Sequence, residues 1–300
     1  MAKQPPNPDS PFDLQNDTTW QRWREQKLDL QPRSEEDLLV SIQDPRQLTT
    51  GERDAILARI ARCNMAIYVS PLHQEDPHVL TALGAQFGLT HLDANWLAED
   101  EGITSIRVHD QGTRKTYIPY SNQPIKWHTD GYYNPPERRI CAMILHCVRH
   151  APQGGRNRLM DPELVYLTLR EQNPDFIRAL MAPDALLIPE RVDAQDGIRP
   201  AQSGPVFSVL AGGQLHMRYT ARTRSILWKQ DPVTRSAVAA LEALLANPVA
   251  LGFELLLEPG MGLLCNNVLH DRSRFIDDPA RPRLLYRARY LERIQPEAAL

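Results

Sequence analysis

The 300-residue sequence has few cysteines, little net charge and no long apolar segment. Its four cysteines form no CxxC pair, which argues against a disulfide framework or a cysteine zinc site and indicates reduced thiols. The chain has 34 Lys and Arg and 37 Asp and Glu. Its net charge of -3 therefore provides no positive field that would attract nucleic acid. No run of about 18 apolar residues could cross a membrane, and no secretion signal is recognisable at the start. We therefore expect a cytoplasmic protein that binds neither nucleic acid nor membrane.

Sequence signatures of several common enzyme classes are also missing. The chain contains no GxSxG nucleophile elbow, no GxxxxGKS or GxxxxGKT phosphate loop and no GxGxxG fingerprint. These absences argue against acyl transfer, nucleoside triphosphate use and nicotinamide chemistry. Hydrophobic residues make up 42% and charged residues 24%, which is typical of a folded globular protein.

Helical and strand patterns alternate along the chain and then give way to strands. Residues 1–18 are rich in Pro, Asn and Asp and predict an irregular arm, followed by a single domain over 19–300. Apolar spacing predicts helices in TTGERDAILARIARC, HVLTALGAQFG and PVTRSAVAALEALLANP, and a helix pair in PELVYLTLREQNPDFIRALM. ICAMILHCV predicts a buried strand, Gly212 and Gly213 a hairpin turn, and further β runs lie near the carboxyl end. This pattern favours one α+β domain built on an antiparallel sandwich or barrel.

Two histidines and one aspartate form a candidate metal site. His128 and Asp130 flank a threonine in WHTDG, so an extended backbone directs both side chains to the same side. His270 closes the apolar run MGLLCNNVLH, which predicts a buried strand that delivers the third ligand. Two imidazoles and one carboxylate are the facial triad of non-heme Fe(II) enzymes, although the same groups also suit zinc.

The metal interpretation has two competitors within the sequence. A second HxD motif occurs at His91 and Asp93, but it follows a helix and a glycine and has no buried strand beside it. We favour His128 because a rigid element holds a metal ligand better than a loop does. The alternative for His128 is a surface histidine that is hydrogen-bonded by Asp130.

Two arginines follow the last of these histidines on a predicted strand. Arg283 and Arg287 share one strand face in RLLYR. If that face is buried, the guanidinium groups need an anionic partner, and the two carboxylates of 2-oxoglutarate provide one. The alternative is that the arginines face solvent and pair with Asp277, Asp278 or Glu292.

These motifs together resemble the taurine dioxygenase and 2,4-dichlorophenoxyacetate dioxygenase family of Fe(II)/2-oxoglutarate enzymes. The resemblance rests on WHTDGYYNPP, GMGLLCNNVLH and RPRLLYRARY and spans roughly residues 79 to 291. It implies a double-stranded β-helix, the cupin-like jelly roll, with flanking and inserted helices. It makes His128, Asp130 and His270 the iron ligands. Arg283 takes the position that holds 2-oxoglutarate and Arg287 the position nearer the substrate, although the two could exchange roles.

The same resemblance implies the reaction and further contacts. Where relatives carry Thr in a GGDT-like turn, this chain has Asn157, whose amide would donate to the co-substrate carboxylate. The expected reaction hydroxylates a C–H bond of a small anionic or zwitterionic molecule, consumes O2 and 2-oxoglutarate, and releases succinate and CO2. Assembly into a homo-oligomer is left open. The candidate substrate contacts are Arg287, Tyr120, Ser121, Asn122, Tyr132, Tyr133, Lys115 and Arg218.

Two other classes of function use the same features. A zinc-dependent hydrolase or isomerase on a cupin-like barrel would employ the same three ligands but leaves the arginines unexplained. A non-catalytic β-sandwich binding module would merely pair His128 with Asp130. His216 and Arg218 share a strand face in LHMRY, in a hairpin that we expect to be exposed.

Overall fold

The computed structural model describes residues 10–93, 102–109, 111–193, 197–223, 226–248 and 251–295. The α-helices in these ranges are α1 (Asp17–Asp29), α2 (Thr50–Cys63), α3 (Val79–Ala85), α4 (Pro162–Gln172), α5 (Pro174–Leu180) and α6 (Pro232–Ala246). The strands are β1 (Leu39–Ser41), β2 (Met65–Val69), β3 (Thr104–Ile106), β4 (Ile125–His128), β5 (Ala142–Arg149), β6 (Gln153–Gly154), β7 (Asn157–Met160), β8 (Leu186–Ile188), β9 (Arg191–Asp193), β10 (Gly197–Arg199), β11 (Gln202–Gly204), β12 (Phe207–Val209), β13 (Leu215–Met217), β14 (Leu227–Trp228), β15 (Gly252–Leu255), β16 (Met261–Cys265), β17 (Leu269–Arg272), β18 (Phe275–Ile276) and β19 (Leu284–Tyr290).

Two facing sheets form the centre of the fold. The larger has six strands in the order β1-β2-β16-β5-β19-β3, and the smaller has four in the order β15-β7-β17-β4. Neighbouring strands are antiparallel except for β1 and β2. Leu145 and Leu285 of the larger sheet share one apolar core with Leu159 and Phe253 of the smaller sheet. This is the predicted α+β fold with a jelly-roll core.

The helices cover the outer surfaces of the two sheets. Ile56 of α2 and Leu83 of α3 pack against Ile144 and Tyr286 on the outer face of the larger sheet. Helices α4, α5 and α6 form a second core with the β12–β13 hairpin. Helix α2 begins with a capping box of Thr49 and Glu52, the sequence signal that predicted it. In the described part of the chain, no helix has the length and apolar character needed to cross a membrane.

The run MGLLCNNVLH departs from its prediction as one strand. Strand β16 ends at Cys265 in the larger sheet, and β17 begins at Leu269 in the smaller one. The chain crosses between the sheets at Asn267, whose φ of 50° lies in the left-handed region. Asn tolerates this conformation better than most residues, so the two asparagines break the apolar run. His270 therefore lies in the second of two short strands.

The amino-terminal arm remains a prediction for the most part. Residues 1–9 lie outside the described ranges, and α1 begins at Asp17, inside the predicted arm. Phe12 is 5% exposed and meets Trp23 and Tyr166 edge to face. The described end of the arm is therefore packed on the α4 side of the fold.

A buried lysine joins α1 to α4. Lys27 Nζ lies 2.6 Å from Asp161 Oδ2 and 2.5 Å from Glu163 Oε2, and it donates to the Arg62 carbonyl over 2.9 Å. Burial alone would lower the pKa of Lys27, but Asp161 and Glu163 hold that pKa above its ordinary value. The ammonium group is therefore charged and compensates the buried Asp161 and the partly buried Glu163.

We predict that Lys27→Ala lowers the free energy of unfolding by about 3–5 kcal/mol, because it leaves buried carboxylates without a cation. Lys229→Ala is the matched control, since Lys229 forms an exposed pair with Asp184 at 3.1 Å and should contribute less than about 1 kcal/mol. Urea denaturation measures both values. Equal losses in the two variants would contradict a stabilising role for the buried cluster.

Candidate active site

The structure brings His128, Asp130 and His270 together. Each offers one ligand atom, and the three atoms lie within 4.8 Å of one another. His128 on β4 is directly opposite His270 on β17, with ring centroids 4.2 Å apart. Asp130 follows two residues later, where the chain leaves the strand. Antiparallel pairing therefore creates the cluster from parts of the sequence that are far apart.

Both imidazoles are oriented by the same type of backbone contact. His128 Nδ1 lies 2.9 Å from the Lys126 carbonyl, and His270 Nδ1 lies 2.9 Å from the Val268 carbonyl. A carbonyl accepts a hydrogen bond only from an N–H, so Nδ1 carries the proton and Nε2 keeps its lone pair. Burial, reinforced by His270, lowers the pKa of His128 to about 3. His128 is therefore neutral at ordinary pH, as a metal ligand must be.

The backbone of Asp130 is held by an asparagine that the sequence motifs did not indicate. The Asp130 amide donates to Asn267 Oδ1 over 2.8 Å, and Asn267 Nδ2 donates to the Asp130 carbonyl over 2.9 Å and to the Ile140 carbonyl over 2.8 Å. The left-handed turn at Asn267 thus fixes the backbone of the candidate ligand. The available signal was the asparagine doublet that interrupts an apolar run.

The Asp130 carboxylate is ionised and partly unsatisfied. Burial would raise the pKa of Asp130, but Arg287 and Arg289, with the two histidines, hold that pKa well below its ordinary value. Arg287 Nη1 lies 3.3 Å from Asp130 Oδ1, whereas Oδ2 is buried without a partner among the described residues. Two imidazoles that offer Nε2 and a carboxylate with an unpartnered oxygen fit Fe(II) and leave further coordination positions open.

The competing HxD motif does not form such a cluster. The His91 side chain is 76% exposed and pairs with Glu292. Asp93 is buried and lies 2.7 Å from Arg289 Nη2 and 2.6 Å from Arg138 Nη2. The two side chains therefore serve different ion pairs, and the structure favours the motif at His128.

The inner face of β19 and its amino-terminal approach carry buried arginines. Arg283 is 4% exposed, and only its backbone N–H, not its guanidinium group, donates to Asp277. The Arg283 and Arg272 guanidinium groups lie 5.0 and 4.8 Å from the centre of the Phe275 ring. In the described residues neither forms an ion pair with a carboxylate, and burial lowers the pKa of Arg283 to about 10 and that of Arg272 to about 9. An anion would compensate these charges.

Asn157 contacts the strand that carries Arg272. It is 7% exposed, its Nδ2 donates to the Asp271 carbonyl over 2.9 Å, and its Oδ1 has no partner among the described residues. In this orientation the unpartnered atom of the amide is Oδ1, which is a hydrogen-bond acceptor. Donation to a co-substrate carboxylate therefore depends on the second amide hydrogen.

The predicted substrate contacts occupy different environments. Tyr120 is 2% exposed, Ser121 Oγ donates to the Ile118 carbonyl over 2.9 Å, and the Asn122 carbonyl accepts from the Phe275 amide over 3.3 Å. Tyr133 accepts from Arg289 Nη1 over 3.0 Å. Tyr132 is half-buried and Lys115 is exposed. The aromatic side chains in this set, rather than the lysine, are therefore held within the protein.

The expectation of an exposed hairpin at His216 and Arg218 was wrong. His216 is 8% exposed and its Nε2 lies 3.2 Å from the Ile140 carbonyl. Arg218 Nε donates to the Tyr132 carbonyl over 2.8 Å. The cause is a bridge between Thr220 and His128, which attaches this segment to the edge of the metal-site sheet.

This jelly roll with a two-histidine, one-carboxylate cluster defines the class of non-heme iron oxygenases. The sequence matches the family described as Taurine catabolism dioxygenase TauD, TfdA family, over residues 28–289. The chain belongs to this family, as its motifs predicted, and thus to the 2-oxoglutarate-dependent dioxygenases that use iron and O2.

Two curated relatives and one solved structure illustrate the similarity. Uridine-5'-phosphate dioxygenase of an Amycolatopsis species is 33% identical over 172 residues, 55% of this chain and 60% of that protein. The Streptomyces protein of the same name is 32% identical over 215 residues, 70% of this chain and 77% of that protein. The non-heme iron oxygenase OrfP in complex with Fe and alpha-ketoglutaric acid is 18% identical, with a TM-score of 0.59 and coverage of 91% and 90%. The last similarity concerns the fold alone.

We predict that Asn267→Ala lowers the affinity of the site for divalent metal about tenfold or more, because residues that orient a ligand typically contribute that much. Asn266→Ala is the matched control, since Asn266 Nδ2 donates to the Ile294 carbonyl over 3.1 Å and not to Asp130. Metal titration followed by calorimetry measures both affinities. Unchanged affinity in a folded Asn267→Ala protein would contradict this role.

Proposed function

We propose that the chain binds Fe(II) through His128, Asp130 and His270 and hydroxylates a C–H bond of a small anionic molecule. The observation that carries this proposal is the convergence of the three ligand atoms within 4.8 Å. The bound iron and 2-oxoglutarate supply the oxidising chemistry, in which O2 is consumed and succinate and CO2 are released. The protein provides the geometry, the charge and the exclusion of water.

Each residue of the cluster has a separate task in this proposal. The backbone carbonyls of Lys126 and Val268 keep both histidines in the tautomer that offers Nε2. Arg287 keeps Asp130 ionised through its contact at 3.3 Å. Because the carbonyl contacts exist in the protein alone, both histidines are oriented before metal binds.

We assign the co-substrate carboxylate to Arg283. The Arg283 guanidinium group is buried and Nη1 has no partner in the described part of the chain. A carboxylate satisfies a guanidinium group through a two-point contact, so the distal end of 2-oxoglutarate suits this position. A zinc hydrolase with the same ligands would leave this charge uncompensated, which favours the oxygenase.

We further propose a substrate that combines a phosphate or similar anion with a flat ring, such as a nucleoside monophosphate. Arg191 Nη2 donates to the Tyr117 hydroxyl over 3.1 Å, and Arg199 lies 5.1 Å from the Tyr133 ring. Arginine binds phosphate, and tyrosine rings stack on flat ligands. The relatives named uridine-5'-phosphate dioxygenase support this substrate class.

Anaerobic addition of Fe(II) and 2-oxoglutarate to the wild-type protein should produce the weak visible absorption band of a metal-chelated keto acid. His270→Ala should abolish the band because it removes one of three ligands. His91→Ala is the control from the competing motif and should retain it. A wild-type protein that binds iron but gives no band would contradict the oxygenase proposal.

Among candidate substrates, a nucleoside 5'-monophosphate should stimulate succinate release more strongly than its nucleoside does. Its half-maximal concentration should be about tenfold or more lower, because a charge-assisted contact contributes that much binding free energy. Arg199→Gln should reduce this difference. The keto-acid absorption band of Arg199→Gln serves as the control for damage at the metal. Equal stimulation by both compounds would argue against recognition of the phosphate.

A further inference from the structure

Arg272 is a buried arginine that belongs neither to the candidate metal ligands nor to the proposed substrate contacts. It lies two residues after His270 on β17 and is 3% exposed. Its Nη2 donates to the carbonyls of Ser121 over 2.7 Å and Gln123 over 2.5 Å, and its Nη1 donates to the Pro119 carbonyl over 3.3 Å. These acceptors are neutral, so the full positive charge remains inside the protein.

Unsatisfied polar atoms occur on Arg272 and on two other buried residues. Arg272 Nε, Arg283 Nη1 and Asn157 Oδ1 are all buried and lack hydrogen-bond partners among the described residues. Arg272 and Arg283 both contact the Phe275 ring, at 4.8 and 5.0 Å from its centre. Asn157 Nδ2 donates to the carbonyl of Asp271, the residue before Arg272, over 2.9 Å. The two cations therefore share one aromatic ring, and the asparagine contacts the strand that carries Arg272.

Two uncompensated guanidinium groups beside one aromatic ring repel each other and are costly to bury. An arginine whose sole role is to donate hydrogen bonds to loop carbonyls does not require a second buried cation beside it. A bound carboxylate between the two would offset both charges, and each guanidinium group would gain a charge-assisted hydrogen bond. The pocket thus has the charge expected for an anion rather than for a neutral group.

We propose that Arg272 is a second cation of the 2-oxoglutarate pocket, where it stabilises the distal carboxylate together with Arg283. This inference rests on the proposed function, because it presupposes that 2-oxoglutarate occupies the pocket. The distal carboxylate would then contact Arg272 on β17, the strand of His270, as well as Arg283, which precedes β19. Since Arg272 also holds the carbonyls of the loop at 119–123, the same side chain connects the co-substrate to the segment that precedes β4.

The test compares two keto acids that differ in the distal carboxylate. Arg272→Gln, loaded anaerobically with Fe(II), is titrated with 2-oxoglutarate and with pyruvate, and the keto-acid absorption band reports binding. We expect the Kd of 2-oxoglutarate to rise about tenfold or more, as for loss of a charge-assisted contact. The Kd of pyruvate should not change, because pyruvate has no distal carboxylate. Arg283→Gln should behave in the same way.

Arg158→Gln provides the matched control on the neighbouring strand. Arg158 pairs with Asp271 and lies 5.0 Å from the Trp127 ring, so its loss should leave both titrations unchanged. Arg272→Lys keeps the charge but not the set of carbonyl contacts, and it should retain part of the preference for 2-oxoglutarate. The proposal is overturned if Arg272→Gln weakens both keto acids equally, weakens neither, or is matched by Arg272→Lys. A missing band in the wild-type protein would instead reject the proposed function.

Discussion

The antiparallel pairing of β4 with β17 is the constraint on which the site depends. It places His128 opposite His270, and each imidazole is then oriented by a carbonyl of its own strand. Because strand side chains alternate, a slip of one residue would direct one histidine away from the other. The register is secured by apolar packing on both sides, with Trp127 and Leu269 buried in the helical core. The candidate metal site is therefore a product of sheet packing rather than of a loop.

The distribution of charge around this pair follows from the same packing. Asp130 is the one carboxylate of the candidate metal cluster and pairs with Arg287, whereas Arg283 and Arg272 are buried and form no ion pair with a carboxylate among the described residues. Buried cations without counter-ions reduce stability, so their presence in this fold favours the binding of an anion. An anionic co-substrate and an anionic substrate would each neutralise part of this excess.

The sequence predicted the features that depend on local patterns. The capping box of α2, the hairpin at Gly212 and Gly213, and the helices α4 to α6 appear where expected. The three candidate ligands could be chosen because the HxD motif beside a buried strand was distinguishable from its competitor. Asn267 and Arg272 could not be found in this way, because their roles arise from a crossing between sheets and from contacts with distant carbonyls. The burial of His216 likewise depends on a long-range bridge to β4.

The competing HxD motif affects the candidate site through an ion pair. Arg289 lies on the same strand face as Arg287, and both cations act on Asp130. Asp93 of that motif lies 2.7 Å from Arg289 Nη2 and thereby compensates this arginine. Without Asp93, an uncompensated Arg289 would compete with the metal for the Asp130 carboxylate. With Asp93 in place, Arg287 is the arginine in direct contact with Asp130, and an anionic substrate that draws Arg287 away would leave the carboxylate to the metal. Substrate binding and metal coordination would then be coupled through one guanidinium group.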